Sequence, residues 1–257
     1  MIRVAIVGAS GRMGQTLSHE IAERDEFELT YLVDPLEPLF LASAQWVSEV
    51  TGVDATKVDV MLDFSTLSGA SVSLQWCLDH DVAIVVGATG FSSVVLNEWS
   101  EKFLAGAGHA IIASNFSIGA LLAQRFATQA AEHFDSVEII ELHHDKKIDA
   151  PSGTSLSAAR GIAEARERAG RSEMIDPTQR ETLAGGRGAK ADGGIRIHSV
   201  RLAGLVAHQE VIFGNPGEGL IIRHDSYDRK SFVGGVVVAL RAVRNRLGLT
   251  LGIDELV

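Results

Sequence analysis

Residues 4–14 read Val-Ala-Ile-Val-Gly-Ala-Ser-Gly-Arg-Met-Gly: an apolar run, then glycines at 8, 11 and 14, then at once a helical pattern. A strand that turns on glycine into a helix commits the start of the chain to a strand–turn–helix unit of a parallel sheet. In such a turn Gly8 permits the tight bend, Gly11 lets backbone amides approach a pyrophosphate, and Gly14 lets the helix pack on the sheet. The helix start offers unpaired N–H groups and a partial positive charge to phosphates. Asp34 lies 20 residues beyond Gly14, at the end of the next apolar run. An acid at that place accepts hydrogen bonds from an adenosine ribose. The spacing is G-x-x-G-x-x-G rather than G-x-G-x-x-G, but the physical logic is the same. A glycine turn that binds nothing, and an Asp34 that only caps a turn before Pro35, are the ordinary alternatives.

The expected dinucleotide contacts are Gly8, Ala9, Ser10, Gly11, Arg12, Met13 and Asp34. Further contacts are expected where later strands end: Phe64, then Gly87, Ala88 and Thr89, then Ser114, Asn115 and Phe116. Ligands in an open α/β sheet bind at those carboxyl ends. A carboxylate at Asp34 repels a 2′-phosphate and favours NADH. Arg12, at the mouth of the loop, is able to pair with that phosphate. NADH preferred, or dual use of NADH and NADPH, is the expectation.

The rest of the first 114 residues supports a parallel sheet. Apolar runs at Leu29–Val33, Val58–Phe64, Val82–Val86 and Ala110–Ala113 alternate with helical stretches at Arg12–Arg24, Gly69–Leu78 and Val94–Phe103. Such alternation implies crossovers and a mostly parallel, doubly wound sheet. From about Ser117 the pattern changes. Ile118–His133 and Ser155–Ala169 read as helices. Ser136–Leu142, Ile195–Leu202, Glu210–Phe213 and Leu220–His224 read as strands, the last three with no helix between them. That predicts an open α+β sheet with antiparallel pairing. Ser231–Arg246 reads as a closing helix, and Arg171–Asp192 as a long mobile loop, a feature compact domains keep for function. The fold class expected is therefore α/β: a Rossmann-like doubly wound domain from residues 1–114 and 225–257, plus a smaller α+β domain, 115–224, with an open mixed or antiparallel sheet.

Composition narrows the function classes. The 257 residues carry a formal net charge of −10, with 46% hydrophobic and 22% charged residues. That is the balance of a folded globular chain, and the acidic surplus argues against non-specific binding to nucleic acid or anionic membrane. One cysteine, Cys77, excludes an intramolecular disulfide and fits a reducing compartment. With no signal-peptide pattern and no long apolar run, a cytoplasmic location is expected.

The densest chemistry lies at 138–154: Glu138-Ile-Ile-Glu141-Leu-His143-His144-Asp145-Lys146-Lys147-Ile-Asp149-Ala-Pro151-Ser152-Gly153-Thr154. A strand ends in two histidines, Lys147 follows His143 by four, and Ser152-Gly153-Thr154 opens a helix. Hydroxyls and N–H groups at a helix start make an anion site. Lys147 adds charge, and the histidines titrate near neutrality. The group suits a carboxylate-bearing substrate that takes a proton as well as a hydride. Taken singly, the Ser-x-Thr is an N-cap and the lysines a solvated turn. No metal site is expected, because adjacent strand residues point to opposite faces.

The E-x-x-E-x-H-H-x-x-K-x-D-A-P-S-G-T run resembles the signature of the 4-hydroxy-tetrahydrodipicolinate reductase (dihydrodipicolinate reductase) family of diaminopimelate and lysine synthesis. V-G-A-x-G-R-M-G, D-F-S at 63–65, G-A-T-G-F at 87–91 and S-N-F-S at 114–117 match the family in the same order. The resemblance implies a cofactor domain built from both termini, a central domain that binds substrate and forms a homotetramer, and hydride transfer from NADH or NADPH to C4 of a cyclic imine. It implies His143 and Lys147 as the catalytic pair, their division of labour open. His144, Lys147, Ser152, Gly153 and Thr154 are implied to hold the two substrate carboxylates. Some members carry an arginine just after the ribose acid; Pro35 stands there in this chain, which weighs against strong NADPH preference. Two other readings compete: an aspartate- or homoserine-type dehydrogenase, against which the His-His…Lys…Pro-Ser-Gly-Thr run speaks, and a nucleotide-sensing protein without turnover.

Overall fold

The computed structural model describes residues 1–257. The chain divides into two units, Met1–Ile118 with Arg229–Val257, and Gly119–Asp228. The sequence-based boundaries at 114 and 224 fall a few residues short of these.

The first unit is built on a seven-stranded sheet in the order β12-β6-β5-β4-β1-β2-β3. Its strands are β1 (Ile2–Val7), β2 (Phe27–Val33), β3 (Gln45–Val47), β4 (Val60–Asp63), β5 (Ala83–Val86), β6 (His109–Ile112) and β12 (Gly248–Leu251). Every pairing is parallel. Alternate residues feed opposite faces. Ala5, Met61, Ile84 and Ala110 sit in a core with Leu74 and Cys77 of helix α2 (Leu67–Asp79) and Trp99 and Phe103 of α3 (Ser93–Ala105). Ile6, Leu62, Val85 and Ile111 point to the other face. There α1 (Arg12–Ala22) buries Leu17 and Ile21, and α6 (Val233–Ala242) buries Val236 and Leu240. Strands buried on both faces read as continuous apolar runs, which is why they were legible.

The sequence order turns about β1: the chain builds β2 and β3 on one side, then β4, β5 and β6 on the other. That makes β1 and β4 the switch point where an open sheet splays its loops apart. The start of β1 is tied down by Arg3. Its backbone N–H, Nε and Nη2 all donate to the Asp59 carboxylate, at 2.8, 3.1 and 2.8 Å. These bonds hold the Asp59 carboxyl down at about 2, against an ordinary 3.8. A depressed carboxylate stabilises the fold above its unfolded value, and that contribution fades as pH falls through the folded one. Asp59→Asn is therefore expected to lower the thermal midpoint near neutral pH by roughly 2–4 °C, about 1 kcal/mol after allowing for the exposure of Arg3. The gap to the native chain should close as pH falls from 4 towards 2. A gap that stays constant across that range would remove the ion pair as its cause.

The second unit has a five-stranded sheet in the order β11-β10-β7-β9-β8. These are β7 (Ser136–His143), β8 (Ala189–Lys190), β9 (Arg196–Arg201), β10 (Ala207–Asn215) and β11 (Glu218–Ser226). The sheet is mixed, within the mixed or antiparallel expectation: β10–β11, β10–β7 and β8–β9 pair antiparallel, and β7 and β9 run parallel. Helix α5 (Gly153–Arg168) supplies the crossover that lets them do so. α5 and α4 (Ile118–Ala130) cover one face, where Val137, Ile139, Ile197, Val211 and Phe213 meet Ala127, Ala158 and Ile162.

Three expectations need correction. The closing helix is shorter than Ser231–Arg246: only Val233–Ala242 is α-helical, flanked by tighter turns at 229–232 and 243–245. The edge strands β3 and β12 lay outside the reading altogether. Within Arg171–Asp192 the chain forms the short strand β8, which pairs with β9. Ion pairs fasten the rest: Asp176 bonds Arg196 at 2.8 Å and Arg187 at 3.4 Å, Arg187 pairs with Glu138 of β7, and Lys190 meets Glu173 at 2.8 Å. No helix of the molecule is long and apolar enough to cross a membrane.

Candidate active site

In the first unit the predicted loops leave their strands in the same way. Each makes one more ladder bond and then peels off: Gly8 N–H to Val33 O at 2.9 Å, Phe64 N–H to Val7 O at 3.0 Å, Gly87 N–H to Asp63 O at 2.8 Å, Ala113 N–H to Val86 O at 3.0 Å. Residues 8–13, 64, 87–89 and 114–116 thus gather at one end of the sheet. Gly8 has φ +78°, and a Cβ there would lie 2.9 Å from the backbone of Phe64 and Ser65. The two loops of the switch point touch because Gly8 has no side chain.

Helix α1 starts at Gly11 with no side-chain cap and no acid in its first turn. α2 and α3, by contrast, are capped by Thr66 and Ser92. An uncapped helix start beside a glycine turn leaves N–H donors for an anion. Asp34 faces this loop. Its Oδ2 accepts from Ser10 N–H and its Oδ1 from Leu36 N–H, both at 3.0 Å. Asp34 therefore holds the loop in shape as well as standing where a ribose would be read. Arg12 is exposed on the first turn of α1. The residues present fit a dinucleotide.

Other predicted contacts divide. Phe64 lays its ring over Gly87, where a Cβ would meet it at 2.2 Å, and packs against Phe116 with centroids 5.4 Å apart. Phe116 is only 2% exposed, so its ring packs inside the unit rather than facing a ligand. Asn115 turns its Oδ1 back to accept from Ser117 N–H at 2.9 Å. Thr89 and Ser114 line a cavity of about 280 Å³, with Leu251 and Gly252 at the end of β12 on its wall. Those last two were missed with their strand. Asp63, fully buried, accepts from Ser65 N–H and Oγ at 2.8 and 2.6 Å and so shapes the turn after β4. Burial raises its carboxyl above the ordinary value.

In the second unit β7 ends at His143, and the turn that holds Lys147 leads on to α5, which begins at Gly153. His143 and Glu141 share a face of the strand, and His143 Nδ1 donates to Glu141 Oε2 at 2.5 Å. Burial pulls the His143 imidazole below its ordinary value, more than the bond to Glu141 raises it. Lys147 Nζ donates to both carboxylate oxygens of Asp149, at 2.7 and 2.8 Å. His144 is exposed just past the strand. Ser152 is 3% exposed, and its Oγ accepts from Ser155 N–H at 3.2 Å. Its hydroxyl is thus spent on capping α5 rather than turned to a ligand. Gly153 and Thr154 are exposed on the first turn, and a Cβ on Gly153 would meet nothing within 4 Å. An open, uncrowded helix start is a place where an anion can meet backbone N–H groups.

Two residues here were missed by sequence reasoning. Arg201, at the end of β9, pairs with Glu141 through both terminal nitrogens at 2.9 and 2.8 Å. Gln209 on β10 accepts from Ser155 Oγ at 2.6 Å. The signal for Glu141 was its period-two spacing from His143. Nothing local marked Arg201, whose place depends on the parallel register His143↔Arg201.

A glycine turn with an uncapped helix start in one unit, and a histidine, a lysine and an open helix start close in sequence in the other, are parts that hydride chemistry on an acidic substrate can use. The chain is a dinucleotide-dependent oxidoreductase of two units. The family model described as dihydrodipicolinate reductase, N-terminus, matches residues 2–116, and the one described as dihydrodipicolinate reductase, C-terminus, matches residues 119–256. The chain is 45% identical over 260 residues to a 4-hydroxy-tetrahydrodipicolinate reductase of Cutibacterium acnes, covering 100% of this chain and 98% of the relative. It is 44% identical over 269 residues to the enzyme of that name from Enterococcus faecalis, covering 100% of both. A dipicolinate-bound dihydrodipicolinate reductase from Paenisporosarcina sp. TG-14 superposes with a TM-score of 0.89 at 38% identity over the whole of both chains. This chain belongs to the dihydrodipicolinate reductase family.

Proposed function

We propose that the chain reduces 4-hydroxy-tetrahydrodipicolinate to tetrahydrodipicolinate in diaminopimelate and lysine synthesis, with NADH preferred or NADH and NADPH used alike. The observation that carries this reading is the strand-end His143 with Lys147 and the open α5 start, in a chain matched over both halves by one reductase family. Bound over the α1 start, the dinucleotide supplies a hydride to C4 of the ring. The substrate hydroxyl leaves as water, and one proton is taken up. The residues do the rest. Gly8, Ala9, Ser10, Gly11, Arg12 and Met13 hold phosphates, and Asp34 holds the ribose. Gly153, Thr154, His144 and Lys147 hold the two carboxylates, with Ser152 keeping the helix start in shape. His143 and Lys147 handle the proton. Lys147 already grips a carboxylate in this structure, that of Asp149, and a substrate carboxylate takes its place.

The second unit is also the assembly unit in this reading. The face of its sheet away from α4 and α5 carries Ile140, Leu142, Ile212 and Ile221, the last 60% exposed. A homotetramer in the cytoplasm is the proposed state, and sedimentation velocity reads it directly.

The activity test follows NADH absorbance while a synthase makes the substrate in situ from pyruvate and aspartate semialdehyde, with NADPH run beside it. Oxidation that depends on the synthase is the expected result; binding of NADH without oxidation would sink the reading. Asp34→Ala is expected to weaken both dinucleotides, because Ser10 loses its acceptor, and NADH by about tenfold more than NADPH. Equal losses, read by fluorescence titration, would leave Asp34 as loop scaffold alone.

A further inference from the structure

Glu141 has 0% exposure, yet it is the hub of the second half-site. It lies two residues before His143 on β7 and therefore on the same face. Its Oε2 accepts from His143 Nδ1 at 2.5 Å and from Arg201 Nη1 at 2.9 Å; its Oε1 accepts from Arg201 Nη2 at 2.8 Å. The same Arg201 Nη2 donates to the backbone oxygen of Asp149 at 2.7 Å. Asp149 is two residues past Lys147, on the turn that carries it. One buried carboxylate and one guanidinium thus reach His143 directly and the turn of Lys147 through the Asp149 backbone. Removing either partner from a buried charge pair is costly, while the pair itself adds little net stability over apolar packing. Stability alone gives weak reason to bury a carboxylate here.

Building on the reductase reading above, we propose that Glu141 and Arg201 are positioning residues for the reaction. Glu141 holds His143 in the tautomer with the proton on Nδ1, so that Nε2 is the atom that takes and gives the reacting proton. Arg201 neutralises Glu141 and ties the Lys147 turn to the end of β9. The charged groups that bear on His143 are Glu141 on its own strand, Arg201 on the paired strand and Lys147 on the following turn. Of these only Glu141 favours the protonated ring. Burial of His143 works against that form, and so do Lys147 and Arg201. Glu141 has the geometry of the carboxylate that orients a histidine in hydrolase triads, where loss of that group costs orders of magnitude in turnover.

The test uses the full-length protein with Glu141→Gln, Glu141→Asp and Arg201→Lys. Glu141→Gln is expected to lower kcat by about 10²-fold or more with NADH affinity unchanged by fluorescence titration. The basic limb of its kcat–pH profile should move to lower pH, because the one group that favours the protonated ring is gone. Glu141→Asp should recover part of the rate, and Arg201→Lys, which keeps the charge but loses the fork, should lower kcat without changing NADH affinity. Wild-type kcat and an unmoved pH profile in Glu141→Gln would overturn the proposal. A second arm needs no substrate: nitrogen NMR of labelled histidines, with His143→Asn to assign the signal. It should show Nδ1 protonated in the native chain, and an earlier titration on raising pH in Glu141→Gln. An unchanged tautomer and midpoint would overturn the proposal even if the reductase activity is present. If the native chain does not reduce the substrate, this arm still decides the role of Glu141 while the proposed reaction alone falls.

Discussion

Lys147→Ala is expected to lose turnover by about 10²–10⁴-fold, the span typical of a positioned acid or base, while NADH binds as before. The separation is expected because Lys147 lies in the second unit and the dinucleotide loops lie in the first. The fold should hardly notice the change. The ion pair Lys147 makes is with Asp149, whose side chain is 56% exposed, and a pair of that kind contributes at most about 1 kcal/mol. Asp149 left alone stays in water. Lys147→Arg then divides the two roles open to this residue. An arginine still grips a carboxylate but does not give up a proton near neutrality. Rescue of KM and kcat together would make Lys147 a carboxylate clamp; rescue of KM with kcat still low would make it the proton donor. Full turnover in Lys147→Ala, measured by NADH oxidation with substrate saturating, would take Lys147 out of the chemistry.

Gly14→Ala is expected to abolish dinucleotide binding and to lower the thermal midpoint by about 5–10 °C. Helix propensity argues the other way, because alanine inside a helix is favoured over glycine by about 1 kcal/mol. Steric contact decides the sign. A Cβ on Gly14 would sit 2.1 Å from the Gly8 carbonyl oxygen and 2.8 Å from Ala9 Cα. Both are backbone atoms of the turn that faces the phosphates, so no side chain is able to swing aside. Helix α1 must slide away from β1, at a cost of about 1–3 kcal/mol or more for overpacking. For a chain of this size each kcal/mol is roughly 2–4 °C. The shift also withdraws the uncapped amides of Arg12 and Met13 from the place where they face an anion. Calorimetry and NADH titration read the two effects separately. A Gly14→Ala protein that binds NADH normally would show that the tight packing has no part in binding.

The two sheets were not equally legible. β1, β4, β5 and β6 are buried on both faces and appear as short, mainly apolar runs, broken by Arg3 in β1 and by Asp59 and Asp63 around β4, so each was placed within a residue or two. β3 and β12 are short edge strands of three and four residues, and Gln45-Trp46-Val47 carries no alternation to read. The parallel pairing of β7 with β9 was not assigned to those two strands, although a mixed sheet was expected; the crossover that permits it lies in α5 and the long segment after it, both of which were seen without that consequence. The site follows the same rule. Gly8, Gly14, His143 and Lys147 lie inside local patterns whose spacing carries chemistry. Arg201 has no such pattern, and only the register of two distant strands brings it to Glu141. Ser152 shows the opposite failure: its motif was correct, and its hydroxyl faces inward to Ser155 because the helix start needed a cap.

The first unit is discontinuous in sequence, and this has a consequence for how the chain emerges during synthesis. Residues 119–228 form one uninterrupted segment whose contacts are complete as soon as it is made. The sheet of residues 1–118, by contrast, waits for the last stretch. Until then β6 is an open edge where β12 later pairs, and the face buried by Val236 and Leu240 of α6 stands bare. Domains fold as units while the ribosome is still working, so the middle of this polypeptide reaches its native state before its beginning does. A released fragment ending just short of residue 229 would present a finished second unit and an unfinished nucleotide fold, with exposed apolar surface of the kind that chaperones recognise.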